Sequence, residues 1–478
     1  MQNSFPLIVD LDGTLVRTDM LQESALRLLR VNPLTVVSLP LWLSQGKAQL
    51  KRNLAIRTEF DPQFLPYHQE FLSWLKQQHA DGRRLILCTA AENSIAQTIA
   101  THLGIFDDVM ASDGVDNLSG ENKARALEER FGRAGFDYAG NERNDLPVWK
   151  SARKAIVVNG SAALIQRAQQ QCELERSFPA IPTTFSDVYK VLRMHQWMKN
   201  ILLFIPFFAS HQITQAATWL QIVLAFFAFS FCSSSVYIIN DLFDLDNDRQ
   251  HSRKRFRPFA SGAVTLLSGV MFVPALLACS IGLAMLVSPQ FLFCLTFYFL
   301  ITCIYSVKLK QLVLVDCITL ALLYTMRIIA GSIAAHLAIS FWLLAFSVFL
   351  FLSLAFAKRY AELLEHILQD TTKVHGRSYE TSDISLIQMF GITSGYAAVI
   401  VLALYLNSEV IIRLYRNPEI VWAAVPVMLF WVSWVWMQAH RGEMHDDPVI
   451  FALKDKTSLV AGAAFAMIVI LGATGLSW

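Results

Sequence analysis

The stretch NDLFDLDNDRQHSRKRFRPFASG, residues 240–262, follows directly on a long apolar run. It places four aspartates in its first nine positions, and five Lys or Arg residues follow between 249 and 257. Charge is costly at the edge of a hydrocarbon layer. The stretch therefore predicts the end of a membrane span and a site that requires both signs of charge.

The composition divides the chain into two parts. Its 478 residues are 54% hydrophobic and 16% charged, whereas soluble domains are about a quarter charged. The apolar excess begins after about residue 185, so we expect a soluble part followed by a membrane part. A net charge of +2, without a basic stripe outside the membrane loops, predicts no nucleic-acid partner. The seven cysteines show neither metal spacing nor a disulfide framework.

The soluble part reads as an α/β fold. FPLIVDLDGTLVRTD, residues 5–19, predicts a buried parallel strand that ends at Asp10, and RRLILCTA predicts a second strand that ends at Thr89. Carboxylates at the carboxyl ends of such strands line the crevice in which these folds bind ligands. We therefore predict a Rossmann-like domain over residues 1–158.

Two segments around these strands have separate predicted roles. Residues 16–80 look mainly helical and are predicted to form an insertion over the crevice. Residues 159–186 are predicted to form a linker with one helix and a proline-containing hinge.

The order of these pieces resembles the haloacid dehalogenase superfamily of phosphatases with a helical cap, because Asp10, Asp12, Gly13 and Thr14 form its D-x-D-G-T signature. The resemblance implies that Asp10 is the nucleophile and Asp12 the general acid/base. It implies that Thr89 and Lys123 hold the phosphoryl oxygens and that Asp10, Asp12 and Asp145 form a Mg²⁺ site. A carboxylate nucleophile, a lysine and a metal suit phosphoryl transfer.

One position departs from that pattern. The fourth motif of the superfamily usually begins with Asp, whereas this chain has Asn141. The amide can still orient a water molecule, but one charge is missing. The alternative is therefore a catalytically inactive regulatory domain.

The membrane part, residues 187–478, predicts an all-helical bundle. Nine apolar runs approach the length that a span needs. They lie at residues 200–210, 217–239, 265–287, 289–305, 312–334, 339–357, 387–406, 419–437 and 457–476.

The connections between these runs predict an orientation. Lys/Arg-rich connections mark the cytoplasmic face, and most of them alternate with polar or short turns. We therefore predict a multi-pass protein of the bacterial inner membrane with a cytoplasmic N-terminal domain and an external C-terminus. RLYRN at 413–417 is an exception on the predicted outer side.

The aspartates of the opening stretch have helical spacing. Asn240, Asp244 and Asp248 are four residues apart and should share one face of a helix, with Asp241 beside it. Such a carboxylate cluster suits Mg²⁺ bound to a substrate phosphate. The basic residues that follow, Arg249 included, are then expected to hold the rest of a polyphosphate. The alternative is a juxtamembrane loop attracted to anionic lipid.

The N-D-x-x-D-x-x-x-D pattern at the end of the second predicted span resembles the UbiA superfamily of intramembrane prenyltransferases. A second Asp-rich motif of that superfamily normally follows the fourth span, but here YSVKLKQLVLVD contains one aspartate, Asp316, and two lysines. Several ordered pieces, among them KRFRPFASG and DDPVIFALKD, resemble the branch of decaprenyl-phosphate phosphoribosyltransferases. That resemblance implies phosphoribosyl diphosphate as donor, a polyprenyl phosphate as acceptor and Mg²⁺ as cofactor.

On this resemblance, Asp244 and Asp248 are the catalytic aspartates, and Asn240 and Asp241 complete the metal ligands. The predicted substrate-binding residues of the membrane part are basic or tyrosine side chains near span ends and loops: Lys199, Arg253, Lys254, Arg257, Tyr305, Lys308, Lys310, Arg327, Lys358, Arg359, Arg377 and Tyr379.

Some of these residues have individual expectations. Arg327 lies inside a predicted span, where an unpaired guanidinium is costly, so a phosphate or carboxylate partner is expected. For Lys358 the alternative is a helix salt bridge with Glu362. Asp446, Asp447 and Asp455 are expected to be solvated loop charges.

Three classes of function remain at this point. The leading one is phosphoribosyl transfer to a polyprenyl phosphate, with the soluble domain removing the 5-phosphate of the lipid product. The second is prenyl transfer to an aromatic acceptor with an independent or inactive phosphatase domain. The third is a transporter or lipid-binding scaffold. Oligomeric state stays open.

Overall fold

The computed structural model describes residues 5–113, 117–180, 182–210, 215–368, 378–408, 415–444 and 447–474. The chain forms two compact units. The first unit combines Met1–Leu192 with Tyr237–Val273. The second unit combines Arg193–Val236 with Pro274–Trp478.

A six-stranded parallel sheet forms the centre of the first unit. Its strands are β1 Leu7–Val9, β2 Leu85–Glu92, β3 Asp108–Ser112, β4 Asp137–Gly140, β5 Lys154–Gly160 and β6 Glu173–Pro179. They lie in the order β3-β2-β1-β4-β5-β6. β1 is central and completely buried, as expected for an apolar strand covered on both faces. The α/β prediction for the soluble part is confirmed.

Helices accompany this sheet. The α-helices are α1 Met20–Val31, α2 Ser38–Ser44, α3 Lys47–Ala55, α4 Gln69–Ala80, α5 Asn93–Leu103, α6 Glu121–Phe131, α7 Leu146–Ser151, α8 Ala162–Gln171 and α9 Phe185–Val191, with 3-10 turns at Pro33–Val37, Pro62–Phe64 and Arg143–Asp145. Residues 16–80 are therefore largely helical, and their role as a cap stays a prediction.

The predicted linker at 159–186 begins too early. α8 and β6 lie within it, and β6 pairs in parallel with β5. Phe178 of β6 is buried in the core of the sheet. Because an added edge strand buries this aromatic ring, the soluble fold extends to Pro179 rather than ending at residue 158.

The Asp-rich segment belongs to this same first unit. A long helix, α11 Ala216–Phe243, ends just before it, and α10 Ile205–Ala209 precedes that helix. A short helix α12 Leu245–Gln250 and a 3-10 turn Lys254–Phe256 follow, and α13 Leu266–Val287 comes next.

Helices make up most of the described residues that follow. The long ones are α14 Pro289–Val307, α15 Val315–Ala334, α16 Phe341–Leu368, α17 Ile384–Leu406, α19 Ala424–His440 and α21 Lys456–Thr474, and the short ones are α18 Pro418–Val421 and α20 Pro448–Lys454. Segments of 3-10 helix lie at Met194–Phe204, Leu309–Gln311 and Thr381–Asp383.

Eight helical segments among the described residues are long and apolar enough to cross a membrane: Ala216–Phe243, Leu266–Val287, Pro289–Val307, Val315–Ala334, Phe341–Leu368, Thr381–Leu406, Pro418–His440 and Lys456–Thr474. The sequence predicts nine spans, and the ninth is not confirmed. The predicted run at 200–210 lies in the 3-10 segment Met194–Phe204 and in α10. This 3-10 segment packs tightly on α15, because a Cβ at Gly331 would lie 2.0 Å from the Leu203 carbonyl oxygen.

Candidate active sites

The phosphatase-like site lies at the carboxyl ends of the central strands. β1 pairs with β2 on one side and with β4 on the other, in parallel. Asp10 follows β1, Thr89 lies in β2, and Asn141 follows β4. The topology thus gathers these three predicted residues at one edge of the sheet.

A buried network connects the nucleophile candidate to Asp145. The Lys123 ammonium nitrogen lies 2.7 Å from Asp10 Oδ1 and 3.0 Å from the Tyr138 hydroxyl oxygen. The Tyr138 hydroxyl donates to Asp145 Oδ1 at 2.7 Å, and the backbone N–H groups of Asn141 and Glu142 donate to Asp145 Oδ2. The structure therefore brings Asp10, Lys123 and Asp145 together as the sequence predicts.

Burial shifts the ionisation of this site. It raises the pKa of Asp10 to about 6, because the opposing effect of Lys123 is incomplete and the Asp145 charge adds to the rise. Burial and the neighbouring charge of Asp19 raise the pKa of Asp12 to about 8. An elevated pKa is the property that a general acid near neutral pH needs.

The other predicted residues of this site have well-defined contacts. Asp12 Oδ1 accepts a hydrogen bond from the Met20 backbone N–H at 2.9 Å. The Thr89 hydroxyl oxygen accepts from the Ala91 N–H at 3.0 Å. The Asn141 side-chain carbonyl oxygen accepts from the Thr14 hydroxyl at 3.2 Å. Asn141 therefore stands at the motif position where the superfamily usually has Asp. An Asp carboxylate could accept the same hydrogen bond from Thr14.

Two residues of this site were missed by the sequence reasoning. Tyr138 bridges Lys123 and Asp145, and its place in the strand just before Asn141 was the available signal. Lys51, on α3, donates to the Ala90 carbonyl and to Asn117 Oδ1. Its charge acts on Asp12, and no local motif marked it, since residues 47–55 approach the site only through the tertiary fold.

Among the described residues, no group of three or more His, Cys, Asp or Glu side chains has the arrangement of a metal site. The donor chemistry nevertheless suits a divalent cation at the phosphatase-like site. Asp145 raises the cost of ionising Asp10 there, and a bound cation would remove this repulsion.

The Asp-rich segment is a helix break rather than one continuous helix. Asn240 and Asp241 lie in the last turn of α11, Asp244 lies between α11 and α12, and Asp248 lies in α12. The backbone N–H of Asp244 donates to Asn240 O at 2.9 Å, and that of Asp248 donates to Asp244 O at 2.8 Å. Both hydrogen bonds join residues four positions apart, as in an α-helix, so the helical hydrogen-bond pattern that links Asn240, Asp244 and Asp248 continues across the break.

Arg257 joins two of these carboxylates. Its Nη1 lies 3.1 Å from Asp241 Oδ1 and 2.6 Å from Asp248 Oδ2. Burial raises the pKa of Asp248, and Asp241 adds to the rise, while Arg257 opposes it. One guanidinium compensates only one of two ionised carboxylates. The group formed by Asp241, Asp248 and Arg257 therefore keeps a net negative charge, which suits a divalent cation.

The basic residues after the aspartates do not act as one group. Arg249 is buried and paired with Glu23, so the expectation that it holds polyphosphate is wrong for this arrangement. Arg253 and Lys254 are exposed, and Arg257 is half-buried. The latter three stay predicted phosphate ligands.

The second unit contains a charged cluster that the sequence reasoning misjudged. Asp447 is not a solvated loop charge: its Oδ2 lies 2.8 Å from Lys199 Nζ and 3.3 Å from Lys358 Nζ. The Tyr324 hydroxyl also donates to it at 2.8 Å. Burial alone would raise the pKa of Asp447, but the two ammonium groups and the Tyr324 bond hold it well below its usual range.

Two related expectations change with this cluster. Lys358 reaches Asp447, whereas Glu362 accepts from Arg359, so the suggested Lys358–Glu362 helix bridge is replaced. Asp455 accepts from the Ser458 N–H and the Trp434 indole N–H, which makes it a helix-capping residue. Asp446 lies outside the described residues.

Arg327 is buried in α15. Its guanidinium donates to Asn200 Oδ1 at 3.0 Å, to the Leu323 carbonyl at 2.7 Å and to the Tyr298 hydroxyl at 2.7 Å. These three neutral acceptors fix the orientation of the guanidinium.

Asp316 lies in a second buried cluster. It accepts from Arg359 Nε at 2.6 Å and from the Tyr379 hydroxyl at 2.5 Å. Tyr379 is buried there and also accepts from the Leu314 N–H, and its role as a substrate-binding residue stays a prediction. Asp316 is thus engaged by a cation instead of forming part of a second open carboxylate motif.

The remaining predicted residues lie near this cluster in the chain. Tyr305 is half-buried at the end of α14, Lys308 is exposed directly after that helix, and Lys310 lies in the 3-10 turn Leu309–Gln311. Arg377 lies outside the described residues.

The apolar helices and the strand-end network define an integral membrane protein with a hydrolase-like soluble domain. Residues 202–456 match the UbiA prenyltransferase family, and residues 7–150 match haloacid dehalogenase-like hydrolases. The chain belongs to the UbiA prenyltransferase family and carries an N-terminal haloacid dehalogenase-like domain, which confirms both resemblances.

Several known proteins are similar to it. The protein y4nM of Sinorhizobium fredii, described as uncharacterized, is 37% identical over 96% of this chain and 90% of its own length. The nodulation protein NoeC of Azorhizobium caulinodans is 35% identical over 59% of this chain and 92% of its own length. The decaprenyl-phosphate phosphoribosyltransferase of Corynebacterium glutamicum is 34% identical over 39% of this chain and 57% of its own length.

A solved structure of a UbiA homolog from Archaeoglobus fulgidus bound to GPP and Mg²⁺ aligns with a TM-score of 0.46 and 17% identity, covering 60% of this chain and 98% of that one.

Proposed function

We propose that the membrane domain transfers phosphoribose from phosphoribosyl diphosphate to a polyprenyl phosphate and that the soluble domain then removes the 5-phosphate from the lipid product. In the first step an oxygen of the lipid phosphate attacks ribose C1, and the bond from C1 to the diphosphate breaks. In the second step the 5-phosphoryl group passes to Asp10 and then to water, which releases phosphate.

The observation that carries the proposal is the state of Asp316. The family normally has a second Asp-rich motif at this place, which would bind further metal. Here Asp316 is buried and paired with Arg359, and Lys308 and Lys310 accompany it in the sequence. Cations suit a donor that carries a 5-phosphate in addition to its diphosphate. The similarity to proteins named decaprenyl-phosphate phosphoribosyltransferase supports the same choice.

The Asp-rich segment is assigned to the diphosphate. Asn240, Asp241, Asp244 and Asp248 would hold Mg²⁺, which offsets negative charge on the leaving diphosphate. Arg257, already paired with Asp241 and Asp248, would donate to phosphate oxygens. Lys199, Lys358 and Arg327 are further cationic candidates for phosphate binding, with Tyr305, Arg359, Arg377 and Tyr379 as further substrate-site candidates.

The soluble domain has the groups that a phosphomonoesterase needs. Lys123 and Thr89 would hold the phosphoryl oxygens, Asp12 would act as general acid/base, and Asp10, Asp12 and Asp145 would hold Mg²⁺. Fusion raises the effective concentration of the second catalyst near the first product. The Lys/Arg-rich loops favour both activities on the predicted cytoplasmic face of a bacterial inner membrane.

The test compares two donors with the full-length protein in membranes. Labelled phosphoribosyl diphosphate is supplied with polyprenyl phosphate, and in parallel labelled prenyl diphosphate is supplied with 4-hydroxybenzoate. The proposal predicts a labelled transfer product only in the first reaction, where the label passes from phosphoribosyl diphosphate to the polyprenyl phosphate. Turnover only in the second would establish the aromatic prenyltransferase instead.

A further inference from the structure

Helix α1 begins at the phosphatase-like site. Its first residue, Met20, donates its backbone N–H to Asp12 Oδ1, and the Asp19 side chain caps the helix through the Gln22 N–H. The orientation of α1 is therefore fixed at one end by the soluble active site.

One turn further along, α1 binds the Asp-rich segment through a buried ion pair. Glu23 and Arg249 have side-chain exposures of 1% and 4%. Arg249 donates from Nη1 to Glu23 Oε2 at 2.9 Å and from Nη2 to Oε1 at 2.6 Å. Its Nε donates to the Ala260 carbonyl at 3.0 Å, so the same guanidinium also closes the loop from 249 to 260.

A second ion pair lies one turn beyond the first. Arg27 donates to Asp246 from Nε and, at 2.7 Å, from Nη2. Its Nη2 also lies 3.1 Å from Glu23 Oε2. Glu23, Arg27, Asp246 and Arg249 therefore form a network in which the two acids and the two bases alternate between α1 and α12.

Backbone contacts accompany these charges. The Leu267 N–H donates to Gln22 Oε1 at 3.1 Å. Gly262 has a positive φ of 71°, and a Cβ there would lie 2.6 Å from the Arg17 carbonyl oxygen. The loop after the aspartates thus approaches the backbone of the soluble domain too closely for a side chain.

This network determines how α12 is held. A helix of six residues, Leu245–Gln250, is too short to be stable alone. Asp246 and Arg249 flank the candidate metal ligand Asp248 within it. A buried ion pair fixes geometry strongly, because either partner left alone pays a large desolvation cost.

We propose that Glu23 and Arg27 of the soluble domain are positioning residues for the transferase: through Arg249 and Asp246 they hold α12 so that Asp248 faces the metal and the donor diphosphate. The soluble domain is thus required for transfer even when it performs no hydrolysis. This inference rests on the proposed function for the identity of the donor. The role of Glu23 and Arg27 in holding α12 does not depend on that identity.

The test uses purified full-length protein in detergent with Glu23→Gln, Arg27→Gln and, as the matched control, Arg30→Gln. Arg30 lies on the same helix and is exposed. Two kinds of measurement are made: the rate of trypsin cleavage after Arg253, Lys254 and Arg255, mapped by mass spectrometry, and the KM for phosphoribosyl diphosphate against kcat.

We expect both Glu23→Gln and Arg27→Gln to accelerate cleavage of this loop and to raise the donor KM by about tenfold, as loss of a residue that supports a metal ligand does. The kcat should fall much less, and Arg30→Gln should resemble the wild type. A general folding defect would instead lower kcat through loss of active protein, and size-exclusion chromatography identifies it. If Glu23→Gln does not fold, Arg27→Gln alone tests the proposal. This variant should fold, because the partner that it leaves unpaired, Asp246, is partly exposed and can be hydrated.

The proposal would be overturned if Glu23→Gln and Arg27→Gln had cleavage rates and a donor KM within twofold of the wild type. It would also be overturned if Arg30→Gln changed both quantities as much as they do. If the wild type transfers no phosphoribose, the proposed function fails. The KM is then measured for prenyl diphosphate, and accelerated cleavage with an increased KM would still establish the positioning role.

Discussion

Replacing Asp447 by Asn should destabilise the second unit far more than an ordinary substitution of a loop residue does. Asp447 accepts from Lys199, Lys358 and Tyr324, and also from the Val449 N–H at 3.2 Å. Asn keeps the shape and can still accept from Tyr324 or from Val449. It removes the negative charge that compensates the Lys199 ammonium, whose side chain is 9% exposed.

The magnitude follows from this loss of compensation. Breaking a buried ion pair by removing one partner costs about 3–5 kcal/mol. The Lys358 side chain is 30% exposed and can be rehydrated, and neutral hydrogen bonds remain, so the lower end applies. We expect a loss of about 3 kcal/mol, which is more than a hundredfold in the unfolding equilibrium.

The assay is unfolding in mixed micelles of increasing SDS fraction, followed by tryptophan fluorescence. Asp455→Asn is the matched control, because Asp455 is a helix cap and Asn is also a good cap. A double-mutant cycle with Lys199→Met should give a coupling energy of about 2 kcal/mol. A loss below about 0.5 kcal/mol for Asp447→Asn, the range of ordinary surface substitutions, would contradict the assignment of a buried charge cluster.

The other predictions concern pH, metal and substrate. Because the pKa of Asp447 is lowered, its stabilisation should be present above pH of about 4 and be lost as the pH falls further, so wild type and Asp447→Asn should converge in acid unfolding. Asp244→Ala or Asp248→Ala should lower transfer by about a hundredfold or more without preventing membrane insertion, since each removes charge stabilisation of the leaving diphosphate; activity within a few-fold of wild type would contradict the Mg²⁺ assignment. Lys310→Ala should raise the donor KM about tenfold with unchanged expression. Asn141→Asp should lower the Mg²⁺ concentration needed for hydrolysis of a small phosphate ester, and an unchanged Mg²⁺ titration would show that this position does not act on the metal.

The residues of the phosphatase-like site were predictable because the D-x-D-G-T signature implies them by resemblance and because a parallel sheet brings the ends of neighbouring strands together. Asp10 follows β1, Thr89 lies in β2, and Asp145 lies in the 3-10 turn after β4, so the sheet order brings them together. Lys51 was not predictable in this way, since α3 approaches Asp12 through tertiary packing that no local spacing encodes.

The charged residues of the membrane part were harder to assign. Sequence spacing finds neighbours along one helix, as for Asn240, Asp244 and Asp248, but it does not find ion pairs between distant elements. Asp447 pairs with residues 89 and 248 positions away, and a charge in a polar loop looks solvated until those partners are known. Arg249 was assigned to phosphate for the same reason, because its partner lies 226 positions earlier.

Phosphoribose transfer and the dephosphorylation that follows it can be measured together, with phosphoribosyl diphosphate that carries tritium in the ribose and radioactive phosphorus in the 5-phosphate. Full-length wild type and Asp10→Asn are each incubated with this donor, Mg²⁺ and polyprenyl phosphate, and both labels are counted in the extracted lipid. We expect lipid with tritium and without the phosphorus label from the wild type, and lipid with both labels in equal proportion from Asp10→Asn. Equal label ratios from the two proteins would remove the phosphatase step, and lipid without tritium from both would contradict the transfer itself.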